Sequence, residues 1–123
     1  MKEAQVYVGM SADIIHPGHM NILKISKSYG EVTVGLLTDE AISSYKKIPV
    51  MSYEERFEVL SGVKYVDNII EQKTHDYTEN LDKLKPDFVI HGDDWQTGIQ
   101  KPVRDKVIQS LDKWGGKLIE VPY

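Results

Sequence analysis

Two histidines three residues apart carry the most specific chemistry in this chain. They lie in the run Met10-Ser11-Ala12-Asp13-Ile14-Ile15-His16-Pro17-Gly18-His19. On a first helical turn, positions i and i+3 share one side, so both imidazoles point the same way. There they meet the unpaired N–H groups and the positive dipole end that already attract phosphate. Pro17 presets φ for that turn, and Gly18 lets a bulky group approach the backbone closely. Two imidazoles so placed can donate hydrogen bonds to phosphoryl oxygens as charge moves from an attacked phosphorus to its leaving group. Plainer roles compete: a histidine that caps the helix or fills a core gap, or a metal-binding pair. With no cysteine and only His75 and His91 left, a third metal ligand is not evident, so no metal site is assigned to protein side chains.

Two further segments could join that chemistry. Lys46 and Lys47 precede Pro49 in a constrained loop, where an ammonium could neutralise a nucleotide phosphate or simply be solvated. Gly92-Asp93-Asp94-Trp95 follows the run Phe88-Val89-Ile90-His91. Its glycine permits a tight turn, and its carboxylates could bind a sugar hydroxyl, fix a loop or hold Mg²⁺. A packed turn is the plain alternative.

The elements that must position these residues follow from hydrophobic period. Short β-branched runs at Gln5–Met10, Val32–Leu37, Asp67–Ile70, Asp87–His91 and Lys117–Val121 read as strands. Between them, helical spacing predicts a helix from about Gly18 to Tyr29, stopped by Gly30, with Ile22, Ile25 and Tyr29 on one face beside Leu23. Ser52-Tyr53-Glu54-Glu55 reads as a capping box opening a second helix, along which Tyr53, Phe57 and Leu60 recur. A shorter helix is expected over Tyr77–Leu84, before Pro86, and a fourth over Pro102–Trp114, before Gly115-Gly116. Strands alternating with helices imply βαβ units: an α/β three-layer sandwich with a five-stranded parallel sheet. Ligands of such sheets sit beyond the strand carboxyl ends, where strand order reverses. The chemistry is therefore expected just after the first and fourth strands.

Composition bounds the rest. The 123 residues suit one domain with a real core. The absence of cysteine excludes disulfides, thiolate zinc and thiol catalysis. No apolar stretch approaches the ~20 residues that span a bilayer, and Met1-Lys2-Glu3-Ala4-Gln5 leads straight into a strand with no signal-peptide pattern. A formal charge of −4 argues against a nucleic-acid partner. A cytoplasmic protein acting on something small is the expectation.

Ser11-Ala12-Asp13 before His16-Pro17-Gly18-His19 resembles the HxGH signature of the nucleotidyltransferase superfamily, which has a Rossmann-like fold and transfers a nucleotidyl group from an NTP. Thr38-Asp39-Glu40, Ser52-Tyr53-Glu54-Glu55-Arg56, Tyr65-Val66-Asp67 and Gly92-Asp93-Asp94-Trp95 occur in the order and spacing of glycerol-3-phosphate cytidylyltransferases. The finer text is similar to the cytidylyltransferase domains of phosphonate biosynthesis, which are often fused to, or encoded beside, phosphoenolpyruvate mutase. It comprises Gly35-Leu36-Leu37-Thr38-Asp39-Glu40-Ala41-Ile42, Ser44-Tyr45-Lys46, Lys85-Pro86-Asp87, Trp114-Gly115-Gly116 and Val121-Pro122-Tyr123.

The resemblance implies CMP transfer from CTP, carried with Mg²⁺, to a small phosphonate such as 2-aminoethylphosphonate or 2-hydroxyethylphosphonate, with release of pyrophosphate. It makes His16, His19 and Lys46 the phosphate and transition-state residues. Ser11, Ala12, Asp13, Gly18, Lys47, Gly92, Asp94 and Trp95 become nucleotide-binding residues. It also implies a homodimer. Met10-Ser11-Ala12-Asp13 stands where the glycerol-phosphate enzymes have Gly-Thr-Phe-Asp, which disfavours that acceptor. The chain reaches Tyr123 without the family's Ser/Thr-rich segment, so the single domain 1–123 is expected to lack the helix that clamps the triphosphate. Rival readings are a glycerol-3-phosphate cytidylyltransferase, an adenylyltransferase of the same fold, and a non-catalytic nucleotide-binding domain of a larger enzyme.

Overall fold

The computed structural model describes residues 3–98 and 100–122. Met1 and Lys2 of the N-terminal reading, and Tyr123 of the C-terminal resemblance, lie outside them. Strands β1 (Gln5–Met10), β2 (Glu31–Leu37), β3 (Asn68–Gln72), β4 (Phe88–Gly92) and β5 (Lys117–Val121) alternate with helices. These are α1 (Pro17–Tyr29), α2 (Asp39–Ser43), α3 (Tyr53–Ser61), α4 (Thr78–Leu84) and α5 (Lys101–Asp112). The strands form one parallel sheet in the order β3-β2-β1-β4-β5. After β1 the chain steps outward through β2 and β3, then returns to lay β4 on the other side of β1. Strand order therefore reverses between β1 and β4, as the sequence led us to expect.

Both faces of the sheet are covered, and β1 shows why its residues alternate. Val6, Val8 and Met10 pack with Val32, Val34, Leu36, Leu23 and Leu60 on one face. Tyr7 packs with Val89, Trp95, Val107 and Leu111 on the other. Side chains two apart in a strand share a face, so one run supplies two half-cores.

Several expected faces need correction. On α1 the buried residues are Ile22, Leu23 and Ser26, with the Ser26 hydroxyl donating to the Ile22 carbonyl. Tyr29 is 38% exposed and meets Phe88 edge-on. On α3 the capping box forms as expected, but Phe57 is 40% exposed and the residue buried with Leu60 is Arg56. Arg56 sits one turn before Leu60, and its charge is matched inside the fold by backbone carbonyls and Asp39. Helix α2, opened by Thr38, was not expected; five residues are too few for a period to register.

Candidate active site

A cleft of about 150 Å³ opens at the carboxyl ends of β1 and β4. Gly9, Met10 and Ser11 form its floor, His19 and Ile22 of α1 its back, and Tyr45, Lys46, His75 and Tyr77 one wall. His91, Gly92, Asp94 and Gln100 form the opposite wall.

His16 is the N-cap residue of α1, a place usually held by a short hydroxyl or carboxamide side chain. Its Nδ1 accepts the Gly18 backbone N–H at 3.0 Å, and the Nδ1 of His19 accepts the His16 backbone N–H at 3.2 Å. Together they make an imidazole capping box. The two rings stack 3.9 Å apart at 29°. Because each Nδ1 is an acceptor, the neutral ring carries its proton on Nε2, so both rings keep an Nε2–H to donate. His19 lines the cleft, whereas His16 borders an adjoining groove with Ile15, Pro17 and Met20. Burial, then the neighbouring His16 and Lys46, hold His19 below its usual imidazole range. Gly18 is needed because a Cβ there would stand 2.8 Å from the His16 ring. The bulky group its missing side chain admits is therefore His16 itself.

The Lys46 ammonium reaches Ser11 Oγ at 3.3 Å and sits 5.4 Å from the Tyr45 ring. Ala12 turns the chain at a positive φ of 52° and is buried. Asp13 accepts the backbone N–H groups of Val50 and Met51, both at 2.9 Å. Burial alone would raise its carboxyl, but these bonds, with Arg56 and Lys46 nearby, hold it below the usual range. Asp13 thus ties the loop after β1 to the loop that carries Lys46. Arg56 completes the tie: fully buried, it donates to the carbonyls of Ser11, Leu37 and Met51 and pairs with Asp39 at 2.7 Å. Lys47 is exposed and does not line the cleft.

At the end of β4, Gly92 caps a short 3₁₀ turn over Asp93–Trp95. His91 Nδ1 stands 2.7 Å from the Gly92 carbonyl oxygen. A carbonyl only accepts, so His91 carries its proton on Nδ1 and leaves Nε2 as an acceptor. This is the tautomer opposite to that of His16 and His19. Trp95 stacks beneath His91 at 3.6 Å, is buried, and donates its Nε1–H to Glu120. Trp95 supports the wall from below, and His91 is the ring that lines the cleft. Asp94 lies at the rim, 3.8 Å from His91 Nδ1.

Sequence reasoning passed over Tyr45, Tyr77 and the cleft role of His75. Tyr45 and His75 stack at 3.8 Å and 7°, across 30 residues of chain. Burial, acting more strongly than the Lys46 charge, lowers His75, while Asp76 opposes it. Among the described residues no three His, Asp or Glu side chains gather to hold a metal ion.

Residues 7–113 match the family model described as cytidylyltransferase-like. The chain belongs to that cytidylyltransferase-like family. It is 37% identical over 99 residues to an ethanolamine-phosphate cytidylyltransferase of Dictyostelium discoideum, covering 79% of this chain and 28% of that one. It is 38% identical over 96 residues to an FAD synthase of Pyrococcus horikoshii, covering 76% of this chain and 65% of that one. The chain thus spans about a quarter of the length of the ethanolamine-phosphate relatives it matches. Among solved structures it superposes on a lipopolysaccharide core biosynthesis protein from Thermoplasma volcanium with a TM-score of 0.82 and 25% identity, over 99% of both chains. No helix among the described residues is long and apolar enough to cross a membrane.

Proposed function

We propose that this family member transfers CMP from CTP to a small phosphonate, releasing pyrophosphate. The observation that carries this reading is the His16–His19 pair. Both rings are fixed by backbone donors on Nδ1, His19 lines the cleft with Lys46 at the strand switch point, and His16 stacks on His19 from the adjoining groove.

An anionic oxygen of the acceptor attacks the α-phosphorus of CTP. A new P–O–P bridge forms to the phosphonate, the bond to the β-phosphate oxygen breaks, and pyrophosphate departs with that electron pair. The attacking oxygen is already deprotonated, so no general base is required. Two polyanions must be aligned and the charge growing on equatorial and leaving oxygens must be met. His16, His19, Lys46 and the α1 N-terminus supply donors and positive potential where that charge develops. Ser11, Ala12 and Asp13 wrap the nucleotide in this reading. Gly92 and Asp94 face its sugar, Trp95 backs that wall, and Lys47 stands by in the flanking loop. Mg²⁺ carried on the triphosphate of the substrate would add further charge neutralisation.

The acceptor follows from resemblance and chemistry together. Ethanolamine phosphate, named in the relatives' descriptions, differs from 2-aminoethylphosphonate only by one ester oxygen. A site shaped for the first accommodates the second, and phosphoenolpyruvate mutase would supply the phosphonate class. A second reading is adenylyl transfer, favoured by the FAD synthases among the relatives, whose product carries an adenine nucleotide.

Pyrophosphate release tests both readings. CTP, ATP, GTP and UTP are each offered with 2-aminoethylphosphonate, 2-hydroxyethylphosphonate, ethanolamine phosphate and glycerol 3-phosphate. Turnover that requires CTP and is fastest with a phosphonate supports the proposal. Turnover with ATP alone replaces the nucleotide, faster ethanolamine phosphate replaces the acceptor, and none with any pair removes the enzymatic reading.

A further inference from the structure

Beneath the Tyr45–His75 wall lies a buried polar network that the reaction above does not use. Tyr7, in the central strand, runs across the sheet toward β2, where Gly35 has no side chain; a Cβ there would collide with the Tyr7 hydroxyl. That hydroxyl donates to Gln72 Oε1 at the end of β3 and accepts from Asn80 Nδ2 of α4 at 3.0 Å. Gln72 in turn donates to the Thr74 carbonyl at 3.0 Å, and Asn80 to the Glu71 carbonyl at 2.8 Å. Thr74 Oγ1 donates to the Asp76 carbonyl at 2.7 Å. The Gln72 and Thr74 bonds reach into the segment between β3 and α4, which carries His75, while the Asn80 bonds tie α4 to β3 and to Tyr7 on either side of it. Tyr77, at its close, packs edge-on against Tyr7.

The two walls of the cleft differ in charge. The His91 wall carries the Asp94 carboxylate, which suits hydroxyl groups and repels an acidic acceptor. The Tyr45–His75 wall brings Lys46 and no lining carboxylate. A small dianion therefore belongs on the second wall, with its organic end against the stacked rings.

We propose that Tyr7 is a positioning residue: braced by Asn80 and acting through Gln72, its hydroxyl holds His75 against Tyr45 and so shapes the pocket for the acceptor's organic group. This rests on the reading of the cleft as a site for CTP and a small anionic acceptor. Tyr7 touches neither substrate; it acts on recognition of one of them.

The Tyr7→Phe variant removes only the hydroxyl. The expected result is an acceptor KM raised about tenfold, with kcat and the CTP KM within about twofold of the parent protein. His75→Ala gives a similar KM change, and the double variant is no worse than His75→Ala alone. In the free protein, the NMR signals of the His75 ring move in Tyr7→Phe while those of His16 and His19 hold. Gln72→Met, which breaks the next link, reproduces the pattern should Tyr7→Phe fold poorly. Equal effects on both substrates, additive effects in the double variant, or unmoved His75 signals would each overturn the proposal. If the parent protein releases no pyrophosphate, the functional reading fails, and the NMR comparison still decides whether Tyr7 sets His75.

Discussion

His16 and His19 stack at 3.9 Å while each receives a backbone N–H on its Nδ1. The same contacts that cap α1 thereby fix the tautomer of both rings. A hydroxyl or carboxylate cap would serve the helix equally well. Two imidazoles in its place leave each neutral ring an Nε2–H beside a helix N-terminus, a place that favours anions.

Stability and activity should separate at this cap. His16→Asn keeps a short acceptor for the Gly18 N–H and should unfold in urea close to the parent. His16→Ala should lose about 0.5–2 kcal/mol. Gly18→Ala keeps the helix but drives a methyl to within 2.8 Å of the His16 ring. It should cut turnover about tenfold or more with little change in the unfolding midpoint. A Gly18→Ala enzyme of parental activity would remove the ring-seating role of this glycine.

Arg56 should be the most costly of the loop ties to remove. Arg56→Leu leaves the carbonyls of Ser11, Leu37 and Met51 without their donor, while Asp39, 44% exposed, returns to water. Urea denaturation should report a loss of about 2–4 kcal/mol, against less than about 1 kcal/mol for Asp39→Asn. Similar losses for the two would mean the ion pair, not the carbonyl clamp, is what matters.

The cleft imidazoles should make both stability and binding depend on pH. His19, His75 and His91 are each lowered from an ordinary value near 6.5, with burial the largest cause. Between their unfolded and folded values the unfolded chain binds more protons. Their contribution is therefore present above about pH 6.5 and drains as pH falls through the lower folded values. Melting temperature should drop over that window, well above the range where carboxylates titrate. Polyanions in the cleft favour the charged rings, so CTP should bind with proton uptake, read by calorimetry in two buffers of different ionisation enthalpy. Equal apparent enthalpies in the two buffers would contradict this.

Glu120 should anchor the His91 wall. Its carboxylate accepts from Arg104, Trp95 and Gln96, and the Arg104 bonds lead in holding it below its usual range despite partial burial. That stabilisation is present above the ordinary carboxylate value and is lost as pH falls through the lower folded one. Glu120→Ala should cost about 1–3 kcal/mol and shift the emission of Trp95, recorded in a Trp114→Phe background. Unchanged emission would mean Trp95 is held by packing alone.

The sheet was legible because β-branched runs separated by segments of helical period leave few alternatives. The Ser52–Glu55 box and the start of α1 were written in local residue types. What escaped was long-range. Tyr45 meets His75, and Tyr7 meets Gln72 and Asn80, only after the β2 and β3 crossovers bring them together. Nothing local to Arg56 announces its burial, which follows only when the carbonyls of Ser11, Leu37 and Met51 close around it. Trp95, an aromatic beside two carboxylates, reads as a ligand platform; its indole N–H instead found Glu120, 25 positions away.

Pyrophosphate release from CTP by His16→Asn and His19→Asn, beside the parent protein, tests the central assignment most directly. A loss of about 10²–10⁴ in kcat in both variants, with melting curves close to the parent, is the result expected of donors that meet charge in the transition state. Turnover within about threefold of the parent in either variant would contradict it.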